Sequence, residues 1–314
     1  MWKLTGGLLV GWGLGSNDAA NIFGTGVAAN AIRYRTAIVL ISIFVVVGAL
    51  LEGHKSMDTV GNMSRLSHMA AFVAALAAGV TVSAYSFHSL PVSTSQAIMG
   101  AVLGIGMISG IPDFTRLYKV VICWVLTPVC GIVFSYILYP LLGKIFQRFL
   151  IDPQLRNMFI RWGLIFAGCY GAYSLGANNV ANVTGVYVGS GLLTPFHAAL
   201  IGSLSIACGV LTYSKKVMNT VGKKIVHLDE FSAFVSTFSA AITLHLFTQV
   251  GVPVSTSQAI VGGVTGVGLV KGLRAVKKTT LIQIAVGWVS TPLFCAVIAY
   301  VMMRICLAFC GTGA

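Results

Sequence analysis

Charge is scarce in this chain. Only 9% of its 314 residues are Asp, Glu, Lys or Arg, and 57% are hydrophobic. An ordinary soluble domain carries about 25% charged residues, so a soluble helical core of this size is excluded. Metal-type and disulfide-type patterns are also missing. The seven cysteines (Cys123, Cys130, Cys169, Cys208, Cys295, Cys306 and Cys310) lie within or beside apolar runs, with no C-x-x-C pair and no His cluster. Neither a disulfide framework nor a metal site is indicated, and cysteine reads as a small packing residue. No cleavable signal is expected. Ser16, Asn17 and Asp18 break the first apolar run, and no small-x-small site precedes a mature domain. Acidic residues are rarest of all, seven against 20 Lys and Arg, for a net charge of +13. Nucleic acid is not the partner this implies. The basic residues are scattered through short loops between apolar runs, as in the cytoplasmic loops of membrane proteins.

What the chain has is long apolar runs. Thr36 to Leu51, Met69 to Ala84, Val120 to Leu142, Phe196 to Tyr213, Phe231 to Val250 and Leu281 to Phe309 approach or exceed the roughly 20 residues that span a bilayer. The expected class is an all-α polytopic membrane protein, multi-pass in the cell membrane and surrounded by lipid.

The sequence also repeats itself. "LGSNDAAN" at Leu14 to Asn21 matches "LGANNVAN" at Leu175 to Asn182, an offset of 161. "PVSTSQAI" at Pro91 to Ile98 returns letter for letter at Pro253 to Ile260, an offset of 162. Thr59-Val60-Gly61 recurs as Thr220-Val221-Gly222, and Trp124 with Thr127-Pro128 recurs as Trp288 with Thr291-Pro292. Four landmarks in one order indicate a duplicated unit. The expected division is residues 1–150 and 151–314, with the joint in the polar stretch Lys144 to Arg161. If the arms around each octapeptide enter and leave on one side, the halves are inverted, and 14 of the 20 Lys and Arg then share a face. A parallel arrangement splits them only 12 to 8. The positive-inside rule favours inversion, with both termini outside.

Three hydroxyls and a proline cannot face lipid, where unsatisfied backbone groups cost several kcal/mol each. Pro91 should stop one helix near Ser89, and Ser93, Thr94 or Ser95 should cap the next, beginning around Gln96. The product is a re-entrant helical hairpin whose tip offers hydroxyls and free N–H groups, an anion site without formal charge. Ser255, Thr256 and Ser257 make the second. The plainer alternative for each copy alone is a helix cap, but duplication in a symmetric chain favours a substrate site near the midplane. Gly100-x-x-x-Gly104 and Gly262-x-x-x-Gly266 lack a Walker lysine and read as close helix packing.

The other motif is complementary. Asn17, Asp18 and Asn21, with Asn178, Asn179 and Asn182 in the second half, offer hard oxygens suited to Na⁺, and are expected to interrupt the first helix of each half. An ionisable residue in a spanning segment is a functional candidate by default; the competing readings are a broken-helix cap for Asp18 and interhelical hydrogen bonding for the asparagines. His54, Lys55 and Asp58 read as a solvated turn, Trp124 and Trp288 as packing, and His88 and His245, out of repeat register, as local hydrogen-bonding residues.

"GSNDAAN" and "GANNVAN", paired with two copies of "PVSTSQAI-x-G", resemble the inorganic phosphate transporter (PiT) family over essentially the whole chain. The resemblance implies secondary transport of phosphate, coupled to Na⁺ or H⁺ with no other cofactor, through inverted repeats and commonly as a homodimer. It assigns Ser93, Thr94, Ser95, Ser255, Thr256 and Ser257 as phosphate ligands. Asp18, Asn21, Asn179 and Asn182 become cation and substrate contacts. This chain departs from the family pattern at Asn179, where Asp is usual, and at Gln96 and Gln258, where many members carry His. The large loop often found between the halves is nearly absent. A sulfate permease of the same fold is the alternative. An intramembrane enzyme using Ser93 or Ser255 as nucleophile lacks a base in repeat register.

Overall fold

In the computed structural model, residues 2–63, 66–87, 92–109, 113–224, 228–272 and 278–310 are described. Apart from a 3-10 turn at Trp2–Leu4, their regular structure is eleven α-helices: α1 Thr5–Ala28, α2 Tyr34–Glu52, α3 His54–Gly61, α4 His68–Phe87, α5 Thr94–Ser109, α6 Phe114–Phe149, α7 Pro153–Gly189, α8 Pro195–Lys224, α9 Glu230–Val250, α10 Thr256–Lys271 and α11 Lys278–Cys310. Six are long and apolar enough to cross a membrane: α2, α4, α6, α8, α9 and α11. Helices α1 and α7 carry the two Asn/Asp motifs. Nearly every residue of α1 from Val10 to Gly26, and of α7 from Gly171 to Tyr187, is buried.

Two expectations are corrected here. The Asn/Asp motifs do not interrupt α1 or α7, which run unbroken through Asn17, Asp18 and Asn21 and through Asn178, Asn179 and Asn182. Neither stretch holds a proline, and the amides reach out to other segments rather than competing for their own helix backbone. The stretch around His54, Lys55 and Asp58 is not a turn but helix α3, following α2 through a helical Gly53 (φ −59°, ψ −29°). At the expected joint, α6 ends at Phe149 and Asp152 caps α7, accepting from Gln154 N at 2.9 Å.

Packing is reciprocal across the chain. Helix α1 lies against α4 and α8, while α7 lies against α9 and α2; α5 packs on α11, and α10 on α6. The contacts are close because glycines meet carbonyls. A Cβ at Gly48 would stand 2.0 Å from Tyr173 O, and one at its repeat counterpart Gly209 2.1 Å from Trp12 O. Gly15 and Gly176 answer from the facing helices, at 2.0 Å from Ile206 O and 2.1 Å from Val45 O. The two G-x-x-x-G stretches do the same work: Gly100 meets Pro292 O and Gly262 meets Pro128 O. Association in lipid depends on such close approach. Gly209→Val should therefore force α1 and α8 apart and cost about 1–3 kcal/mol, read as a lowered thermal midpoint in detergent beside the unsubstituted chain.

Candidate functional site

The second octapeptide joins two helices through a short extended segment. In the second copy, Gly251 takes the left-handed conformation (φ 76°) that ends α9, and residues 252–255 run to α10. In the first, α4 ends at Phe87; the proposed stop at Ser89, Leu90 and Pro91, and His88, lie outside the described residues. Both following helices start two residues earlier than expected, at Thr94 and Thr256. Ser93 Oγ accepts from Gln96 N, and Ser255 Oγ from Gln258 N, each at 3.3 Å. The hydroxyls of Ser93 and Ser95 are 3.1 Å apart, those of Ser255 and Ser257 2.8 Å. All six hydroxyl residues are buried.

The asparagines of the other motif hold these segments in place. Asn17 Oδ1 accepts from Val92 N at 3.3 Å, and its Nδ2 donates to Ser86 Oγ at 3.2 Å. Asn178 Nδ2 donates to Val252 O at 3.0 Å, while its Oδ1 accepts from Val254 N at 2.7 Å. Backbone that belongs to no helix is thus satisfied by amide side chains, as burial requires.

The next position differs between the halves. The Thr94 hydroxyl donates to Asp18 Oδ2. In the second half Asn179 Nδ2 donates to Thr256 Oγ1 at 3.3 Å. The contact is the same, with its donor and acceptor exchanged. The backbone N–H of Thr94, and that of Ser257 from the other tip, also face the Asp18 carboxylate, so one carboxylate is addressed by both octapeptides. Asn182 Nδ2 donates to Asn179 Oδ1 at 2.8 Å.

Several buried polar atoms here have no hydrogen-bond partner: Asp18 Oδ1, both amide atoms of Asn21, and Asn182 Oδ1. Each orphan costs about 1–3 kcal/mol. Their oxygens form a hard donor set suited to a cation such as Na⁺ or to the O–H of a protonated oxyanion. No cluster of three or more His, Cys, Asp or Glu occurs among the described residues, so a transition-metal centre is not what this set resembles.

Gln96 and Gln258 go elsewhere. With Trp124, Pro128, Trp288 and Pro292 they line a cavity of about 630 Å³ between α6 and α11, and their Oε1 atoms also lack partners. Sequence reasoning missed Ser86, which holds Asn17, and a polar cluster around Glu52. Glu52 was detectable as one of seven acidic residues, at the end of an apolar run. His245 does bond locally, its Nδ1 lying 2.8 Å from Tyr170 Oη.

Apolar spanning helices around a buried polar centre define a multi-pass membrane protein. A model of the phosphate transporter family matches residues 14–299, and the chain belongs to that family. A relative from Methanocaldococcus jannaschii, named "putative phosphate permease", is 32% identical over 294 residues, covering 93% of this chain and 92% of its own. The sulfate permease CysP of Bacillus subtilis is 26% identical, over 94% and 84% of the two chains. A solved structure titled "The sodium-dependent phosphate transporter" superposes with a TM-score of 0.82 at 25% identity, covering 97% of this chain and 100% of that one.

Asn178→Ala should leave Val252 O and Val254 N–H unpaired and destabilise the protein by about 2 kcal/mol or more. Asn182→Ala removes a single side-chain bond and should cost less. Paired thermal unfolding curves of the two variants read the difference.

Proposed function

We propose that this protein is a cation-coupled symporter of inorganic phosphate. In this reading residues 1–150 and 151–314 are inverted repeats, both termini lie outside, α4–α5 and α9–α10 are re-entrant hairpins, and two copies assemble in the cell membrane. The observation that carries it is the set of unpartnered oxygens beside two hydroxyl-rich helix N-termini. The N-termini and the hydroxyls of Ser93, Thr94, Ser95, Ser255, Thr256 and Ser257 suit a tetrahedral anion. Asp18, Asn21 and Asn182, supported by Asn17, Asn178 and Asn179, suit the cation, which offsets the anion's charge so that neither ion binds well alone. Na⁺ is the favoured coupling ion because the superposed structure is sodium-dependent by title. With Asn179 in place of a second acid, Asp18 supplies the site's one fixed negative charge.

Sulfate is the second reading, favoured by the similarity to a sulfate permease. Phosphate that carries a proton can donate to Asp18, whereas sulfate near neutral pH has no proton to donate, and that tips the choice to phosphate. Uptake by proteoliposomes, with phosphate, arsenate and sulfate in competition under Na⁺ and pH gradients, decides between them. Sulfate uptake without phosphate uptake would remove the substrate assignment and keep the mechanism. Asp18→Asn should abolish gradient-driven accumulation. Thr256→Ala, losing a hydrogen bond to a charged ligand, should instead raise the phosphate KM about tenfold.

A further inference from the structure

The two tips are fastened by different chemistries at equivalent positions of the repeat. Glu52, at the end of α2, accepts from Tyr173 Oη of α7 at 2.6 Å, Lys55 Nζ of α3 at 2.8 Å and Gln249 Nε2 of α9 at 2.7 Å. Lys55 also donates to Gln249 Oε1 at 2.8 Å, and His245 Nε2 stands 3.5 Å from Glu52 Oε1. Gln249 is two residues from Gly251, where the second tip begins. Thr59 Oγ1 donates to Gly251 O at 2.5 Å, and Lys119 Nζ to Val250 O at 3.0 Å. The polar cluster and its neighbours therefore hold the end of the arm that carries this tip.

The repeat offsets of 161 and 162 carry Tyr173 onto Trp12, Glu52 onto Tyr213 and Gln249 onto Phe87. Those three residues also meet. Ring centroids are 5.6 Å apart for Trp12 and Tyr213, 5.9 Å for Trp12 and Phe87, and 5.3 Å for Phe87 and Tyr213. Phe87 is the last described residue of α4, the helix that precedes the first tip. The same three-cornered contact joins motif helix, second span and arm end in both halves. It is ionic in one, while in the other it is built of aromatic rings, with Lys216 Nζ over the Tyr213 ring at 5.7 Å.

We infer that these contacts are two latches, each holding one tip over the binding centre, and that Glu52 is the positioning residue of the ionic latch. The inference rests on the inverted-repeat transporter reading, under which the latches close opposite faces of the membrane. The Glu52 and Lys55 side chains are 18% and 36% exposed, so electrolyte reaches the pair and weakens it as ionic strength rises. Ring packing has no such dependence, and the contact of exposed Lys216 with Tyr213 adds only a weaker one. Opening on one face is therefore set mainly by the electrolyte there, and opening on the other mainly by ring packing.

The test places one cysteine in a tip, Val254→Cys or Val92→Cys, in a chain whose native cysteines are replaced by alanine and whose thermal stability is retained. A membrane-impermeant maleimide is applied to each face of sealed vesicles in turn. Glu52→Ala should speed labelling of the cysteine at 254 about tenfold, a shift of 1.4 kcal/mol in the open population, and from one face only. Raised salt should speed it with Glu52 intact. Tyr213→Ala should speed labelling at 92 from the other face, and with Tyr213 intact raised salt should speed that labelling less than it speeds labelling at 254. Gln249→Ala, which keeps both charges, replaces Glu52→Ala if that variant does not fold. Unchanged labelling at 254 in the latch variant, or no salt response there, overturns the latch. Acceleration of both cysteines from the same face would support the latches and sink the inverted arrangement.

Discussion

The centre of this protein depends on amide side chains that satisfy backbone outside any helix. Asn17 and Asn178 reach from unbroken helices to the segments before α5 and α10 and take up their N–H and C=O groups. Without that pairing, buried backbone groups of two irregular stretches would be left unsatisfied. The octapeptides can stand inside the protein because the asparagine motifs stand beside them. Each motif is the condition for the other.

Close helix approach brings those partners within reach. Gly15, Gly48, Gly176 and Gly209 let α1 and α7 cross α8 and α2 with almost no side chain between them. The polar motifs are thereby drawn into the middle of the molecule, where Asp18 is addressed by Thr94 of one tip and the Ser257 N–H of the other. Small residues and amides are complementary devices. The first set the distance, and the second fix the direction.

The two related halves of the sequence are not alike. Where the first half has Asp18 the second has Asn179, and the hydrogen bond to the tip threonine runs in the opposite sense. A triad that is aromatic around Trp12 is polar around Tyr173.

Much of this was legible in the letters. Apolar runs, the 161-residue repeat and paired hydroxyl and amide motifs determine a polytopic helical chain with two related half-sites, because burial in lipid leaves few choices for spans and for polar residues among them. The glycine stretches were readable as packing for the same reason. The folded chain alone decided that α1 and α7 stay continuous, since only there are the partners that draw their amides away from the helix. It also decided that Gln96 and Gln258 line a cavity beside Trp124 and Trp288. Sequence order places them next to the serines, but their position in the first helical turn sends them to another wall. Glu52, Tyr173 and Gln249 are far apart in sequence and meet only because the helix pairs of the two halves interlock.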